Sequence, residues 1–324
     1  MIDQNAENPP KGVPVVDRPA SRHRSSSALR VALILFGGTV ILLLAISIVS
    51  LFSSKNSFSE KPFKIGKQIG VLEISDIILD SKTPIERLRA FVADDHIKAI
   101  IIRINSPGGA IAPSQEIFRE IMRAREKKKI VASMGTLAAS GGYYIAAAAD
   151  TIMASEGTIT GSIGVIMKFI NFEELQQWAK IKSDMITSGP FKAMGAPTRP
   201  MTAAERDIFE SMIHEMLEQF IDDITKGRAG KITREEVAHL ADGRIYTGKN
   251  AKRLKLVDEL GNLQDAIDLA AKMVGIEGEP KVVYPPEPKM KLREALFGQV
   301  QQGVVEQLLH LVDGRTPYFL YTMQ

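Results

Sequence analysis

Between residues 65 and 155 the chain alternates short apolar runs with segments of helical period, and few architectures accept that pattern. Residues 69–74 and 130–134 read as strands; 99–104, apolar except for Arg103, reads as a strand buried on both faces. Residues 84–93 carry Ile85, Leu88, Phe91 and Val92 at helical spacing, 114–128 are helical by the same criterion, and 151–154 form a further short strand. Strands alternating with helices predict an α/β fold, a parallel or mixed sheet joined by crossover helices. Two later helices open on capping boxes, Thr202 with Glu205 ahead of 208–224 and Thr233 with Glu236 ahead of 237–241.

Ahead of this region the 22 residues 31–52 carry no charge. At about 1.5 Å each they reach ~33 Å, enough for a hydrocarbon core of ~30 Å and too long for the apolar core of a cleavable signal peptide. One N-terminal transmembrane helix is expected, dividing the chain into a polar, proline-bearing cytoplasmic tail (1–30), the span (31–52), a tether (53–64), a folded domain (65–283) and a C-terminal region (284–324). Arg18, Arg22, Arg24 and Arg30 precede the span and Lys55, Lys61, Lys64 and Lys67 follow it, so charge does not set its orientation. In the C-terminal region Leu292, Leu296, Val300, Val304 and Leu308 mark an amphipathic helix. The apolar Tyr318, Phe319, Leu320 and Tyr321 near the chain end are expected to pack on a neighbouring molecule.

Charge and composition remove several functional classes. The 41 basic residues are interspersed with 38 acidic ones for a net charge of +3, which points to no nucleic-acid partner. Without cysteine there is no thiol catalysis and no cysteine-held metal. None of the five histidines lies in a glycine loop, and His214-Glu215 lacks the second histidine of a zinc helix because position 218 is Glu218. A distant histidine folding back onto a serine stays open as an alternative.

The chemistry concentrates in three segments. Ser140 opens a small-residue helix, Ser-Gly-Gly-Tyr-Tyr, after a strand and the flexible stretch 135–139, which is where a nucleophile would be placed. Asn105-Ser-Pro-Gly-Gly109 follows another buried strand; Gly108 or Gly109 could aim one unobstructed N–H at an oxyanion and Gly141 a second, although the same glycines would equally permit tight turns. Lys192 sits among Pro190, Phe191, Ala193 and Met194, with no acidic residue between Asp184 and Glu205. A free lysine near pKa ~10.4 is only ~0.1% neutral at pH 7.5, and making it a base takes about 4 kcal/mol of differential solvation, attainable among apolar groups. Serine, glycine loop and lysine together suggest a serine-lysine hydrolase.

These residues resemble the signal peptide peptidase A family of membrane-anchored bacterial serine proteases over about residues 65–275. The resemblance rests on INSPGG at 104–109, ASGGYY at 139–144, TGSIGV at 160–165, SGPFK at 188–192 and DGRIYTGKNA at 242–251. INSPGG alone is shared with the Clp proteolytic subunit. The resemblance implies a crotonase/Clp-like spiral of ββα units, with Ser140 as nucleophile, Lys192 as general base and Ser162 orienting the lysine. It also implies no metal or cofactor, and segment 242–251 packed near the site as structural support. The chain looks like the family's short form, which implies a homo-oligomeric ring, an octamer, with the dyad shared between protomers. Expected substrates are short apolar peptides, remnant signal peptides. The expected location is the bacterial cytoplasmic membrane, single-pass, with the catalytic domain on the outer face. A membrane-bound scaffold with a degenerate site, and an acyl-coenzyme A enzyme of the crotonase type, are the alternatives.

Overall fold

The computed structural model describes residues 66–286, with Gly38 and Tyr318–Leu320. The tail 1–30, the tether 53–64 and the amphipathic helix near the C-terminus lie outside those residues, as does the span 31–52 apart from Gly38. Among the described residues no helix is long and apolar enough to cross a membrane.

Strands β1 (Gln68–Ser75), β2 (Ile97–Ser106) and β4 (Lys129–Ala139) lie parallel in the order β1-β2-β4, and β9 (Lys281–Val283) adds to the outer edge of β1. β4 serves two partners beyond β2. Its residues Val131 to Ser133 pair with β5 (Thr151–Ala154), and Leu137 to Ala139 pair with β6 (Ile159–Gly161). β8 (Glu259–Leu260) extends β5, and β7 (Ile245–Thr247) closes the β6 edge antiparallel. The mixed α/β sheet expected from the alternation is present.

Alternate residues of each strand feed two cores, which is why 99–104 is an unbroken apolar run. Ile69, Val71, Ala99, Ile101 and Val131 pack under Ala266, Ile267, Ala270 and Ala271 of α8 (Leu263–Met273). Leu72, Ile100, Ile102 and Ile104 face the other way, against α1 (Lys82–Ala93), α2 (Ile111–Ala124), α3 (Gly141–Ala146) and α5 (Ala203–Gly227). Each fully buried isoleucine contributes roughly 1.5–3 kcal/mol. Both capping boxes form: Thr202 caps α5 and Thr233 caps α6 (Arg234–Leu240), each exchanging hydrogen bonds with its glutamate three residues on.

Two expectations change. α2 ends at Ala124 rather than 128, because the amides of Lys127 and Lys128 both return to the Ala124 carbonyl as the chain turns into β4. Residues 135–139 are the last part of β4, not a flexible link; β6 on one side and Ser106 on the other pair with them. Gly135 is there for close approach, since a Cβ would stand 3.0 Å from Asn105 Oδ1. Near the chain end, β10 (Tyr318–Leu320) pairs antiparallel with β3 (Gly108–Ala110) of its own chain. An unpaired strand edge within reach offers main-chain hydrogen bonds that packing alone does not.

Candidate active site

Ser140 stands where β4 ends and α3 begins, and the chain turns from strand to helix in that one residue. Its φ of 54° and ψ of −118° are rare for a residue with a Cβ and cost on the order of 1–3 kcal/mol. The neighbours hold it there: the Ser140 N–H donates to the Gly161 carbonyl at 2.8 Å, and its own carbonyl accepts from the Tyr144 N–H at 2.9 Å. The residue is 1% exposed, and its hydroxyl makes no capping bond to the helix. A serine excused from capping keeps its oxygen for other chemistry.

Two adjacent tyrosines fix α3. The Tyr143 hydroxyl donates to the Leu256 carbonyl at 3.0 Å. The Tyr144 hydroxyl donates to Asp223 at 2.5 Å while its ring stacks on Phe220 and meets Phe118 edge-on. Burial, reinforced by the hydrogen bond to Asp223, pushes the Tyr144 phenol above its ordinary range, so it stays a donor.

The glycine loop meets this helix directly. A Cβ on Gly141 would lie 3.2 Å from both the Gly109 nitrogen and the Gly108 Cα, and one on Gly142 would lie 2.8 Å from the Ser106 carbonyl oxygen. Gly108 has φ of 100°, open only to glycine at little cost, and its N–H is taken by the Ser106 hydroxyl at 3.1 Å. That hydroxyl in turn donates to the Asp76 carbonyl. Ile78 bridges β3 from the other side, bonding the Gly108 carbonyl and the Ala110 N–H. Successive peptide groups of a strand face opposite edges, so the N–H and carbonyl of Gly109 turn away from Ile78. The Gly141 N–H lies in the first turn of α3, where no intrahelical acceptor exists. The Gly108 N–H is thus engaged by Ser106, the Gly109 edge faces β10, and the Gly141 N–H is left without an intrahelical acceptor.

Register brings Ser162 beside Ser140. Ala139 pairs with Gly161 in parallel strands roughly 4.8 Å apart, so the next residue of each leaves the sheet at the same end. Ser162 has φ of 51° and is 7% exposed. Its N–H donates to the Arg244 carbonyl, and the Gly243 N–H donates to the Ile163 carbonyl. Segment 242–251 thus supports Ser162 through main-chain bonds, as expected of it, while the Asp242 and Arg244 side chains pair with each other.

Lys192 makes no hydrogen bond to Ser140 or Ser162. It lies on an exposed turn, its N–H bonded to the Gly189 carbonyl, and among the described residues its ammonium has no hydrogen bond or ion pair. Of the apolar neighbours that suggested burial, Pro190 and Phe191 are exposed and Ala193 and Met194 half-buried, and Leu175, Trp178, Ile181 and Ile186 on the same stretch are exposed too. The turn is anchored nevertheless. Arg199 donates to the Ala193 carbonyl at 3.0 Å and pairs with Glu205, which is 2% exposed at the start of α5. Gly195, at φ of 71°, lets Phe169 and Phe209 close beneath it.

His96, His214 and His239 are exposed, with His96 paired to Asp94; His23 and His310 lie outside the described residues. The roles of Ser106, Gly142 and Arg199, and the pairing of Glu205 with Arg199, escaped the sequence reading. Ser106 and Gly142 sit inside quoted motifs, but their tasks are set by residues distant in sequence.

Comparison with known proteins places these motifs in a family. The Peptidase family S49 model matches residues 122–277, and a Clp protease model matches residues 74–157. A protein of Synechocystis sp. named as a protease is 37% identical over 257 residues, 78% of this chain and 92% of that one. One of Enterococcus faecium named as a signal peptide peptidase SppA is 31% identical over 239 residues, 68% of this chain and 69% of its own length. The chloroplastic serine protease SPPA of Arabidopsis thaliana is 36% identical over 237 residues, 72% of this chain and 35% of that one. The chain belongs to peptidase family S49, the signal peptide peptidase A family.

Proposed function

We propose that this member is a membrane-anchored serine endopeptidase that hydrolyses short apolar peptides, remnant signal peptides among them, with Ser140 as nucleophile and Lys192 as general base. The observation that carries the reading is the strained, uncapped Ser140 set against Gly109 and Gly141. Neutral Lys192 takes the Ser140 proton as Oγ attacks the peptide carbonyl. The N–H groups of Gly109 and Gly141 receive the oxyanion. The tetrahedral species collapses with expulsion of the amine, which leaves with the proton held by Lys192, and water then hydrolyses the acyl-enzyme on Ser140 by the same base. Ser162, one strand over, accepts a hydrogen bond that orients the lysine.

The exposed Lys192 turn supports a site completed by an adjacent protomer of a closed ring, eight in number by family resemblance. A second copy covering Trp178, Ile186 and Phe191 would remove Lys192 from water, the condition a lysine base needs. The Clp match over 74–157 supports reading the sheet as a crotonase/Clp-like spiral. The uncharged span 31–52 supports a single-pass anchor in the cytoplasmic membrane with the domain on its outer face.

The reading is tested by treating the full-length protein with a fluorophosphonate and mapping the modified peptide. Label is expected on Ser140 alone, absent in Ser140→Ala and slowed about 10²- to 10⁴-fold in Lys192→Ala. Label elsewhere would remove Ser140 as nucleophile. An unchanged rate in Lys192→Ala would return the base to the histidines.

A further inference from the structure

We propose that Arg228 is a positioning residue for Ser140, holding the nucleophile helix through the turn to which Tyr143 is bonded. The inference rests on the peptidase reading of Ser140 and adds a residue which that reading does not use.

Arg228 directly follows α5 and is 1% exposed. Its guanidinium donates to both oxygens of Asp258, at 2.6 and 2.9 Å, and to the Lys255 carbonyl at 2.9 Å, so one side chain clamps the turn 255–258 at both ends. Lys255 stands at φ of 62°, a backbone state that surrounding bonds must hold for a residue with a Cβ. The Asp258 carboxylate also accepts from the Ile152 N–H of β5 at 2.8 Å and pairs with Lys231 at 2.9 Å. Inside the clamped turn lies Leu256, whose carbonyl takes the Tyr143 hydroxyl at 3.0 Å. Tyr143 is fully buried and stands three residues after Ser140, about one turn of helix. Arg228 and Ser140 are thus joined through one clamped turn, one hydrogen bond and one helical turn.

Stability alone does not account for this arrangement. The desolvation of a buried ion pair offsets much of its attraction, and apolar residues of similar volume often serve as well. Here the balance is poorer still, because the buried Arg228 Nε has no hydrogen-bond partner among the described residues. What the guanidinium supplies and an apolar side chain lacks is direction. Its rigid fork fixes the Lys255 carbonyl relative to the Asp258 carboxylate, and with them the Leu256 carbonyl that lies between. Ser140, at φ of 54°, depends on its neighbours to stay where it is, and Tyr143 is the neighbour this fork aims at.

The test is a mutant cycle in the full-length protein, read as kcat and KM on a fluorogenic apolar peptide. One variant is Tyr143→Phe, which keeps the ring and loses the hydroxyl. Another is Arg228→Met with Asp258→Asn, which removes both charges together and leaves an amide oxygen for the Ile152 N–H; the third combines all three changes. Each is expected to lower kcat about 10- to 10²-fold, the loss that a misplacement of about 1 Å brings, with KM unchanged. The combined protein is expected to fall no further than the worse of the other two, because both act on one path. Multiplying losses in the combination would separate Arg228 from Tyr143 and overturn the proposal. So would a lowered Tm with unchanged kcat, which would leave Arg228 a structural residue only. Should the Arg228→Met protein fail to fold, Arg228→Lys, which keeps the charge and loses the fork, takes its place in the cycle. Hydrogen exchange of residues 141–147 is read on the same proteins without turnover, and faster exchange is expected in every variant. If wild type neither takes fluorophosphonate at Ser140 nor cleaves the peptide, the peptidase reading fails and exchange alone decides the hold on α3; wild-type exchange in the variants then overturns it. Normal labelling of wild type with unchanged kcat in the variants would keep the peptidase reading and remove Arg228 from it.

Discussion

Gly142 has no room for a side chain, and the obstacle is backbone. A Cβ there would stand 2.8 Å from the Ser106 carbonyl oxygen, at a point where Ser106 also fixes Gly108 and Asp76. Gly142→Ala must push α3 away from the glycine loop, an overpacking of about 1–3 kcal/mol that also displaces Ser140. A fall in Tm and loss of fluorophosphonate labelling are expected together. Gly157→Ala, whose Cβ would meet nothing within 4 Å, should change neither, and a Gly142→Ala protein with normal labelling would show that the loop-to-helix distance is not critical. The same reasoning explains why one strained residue suffices. The barrier to moving Ser140 lies in its neighbours, the Gly161 carbonyl and the buried Tyr143 and Tyr144, rather than in the serine.

The start of α5 controls the turn that carries Lys192. Glu205 closes the capping box with Thr202 and also receives Arg199, which reaches back to the Ala193 carbonyl beside Lys192. Hydrogen bonding from Arg199, with the Thr202 N–H second, holds the Glu205 carboxyl down at about 2. A carboxyl lowered in the folded state contributes stability that is complete above its unfolded value near ~4.3 and is lost as pH falls toward 2. Wild-type protein should therefore lose protection of the Lys192 turn between about pH 4.3 and 2, read by hydrogen exchange in residues 189–199. Glu205→Gln should have low protection there already at pH 7 and a flat profile across that window. A Glu205→Gln protein with wild-type exchange at neutral pH would sever the helix start from the turn.

Across the whole molecule, the serines and Lys192 are held by separate structures: Ser140 and Ser162 by the sheet ends and α3, Lys192 by a projecting turn with exposed Trp178 and Phe191. If neighbouring protomers complete each site, two inactive variants restore one another. Equal co-expression of Ser140→Ala and Lys192→Ala with random mixing gives each shared site one chance in two of an intact serine and one in two of an intact lysine. About one quarter of wild-type sites result. Peptide turnover by purified mixed assemblies, with both chains verified by mass spectrometry, checks this. Background turnover in well-mixed assemblies would place the dyad within one chain.

The strands, the two capped helices and the motif segments were legible in the sequence because each depends on residues near one another in the chain. The apolar run of 99–104 and the Thr202 and Thr233 boxes need only a few consecutive positions to declare themselves. Ser140 and the glycine pair were legible for the same reason. What depends on distant pairing was not. The stretch 135–139 became strand because β6 and Ser106 lie beside it, and Ser162 came to Ser140 through the register of β4 with β6. Gly108 lost its N–H to a hydroxyl, and Gly109 turned its own toward a segment some 210 residues away in the chain. Local composition sets which conformations are cheap; which partner satisfies each backbone group is decided only when the folded chain brings the edges together.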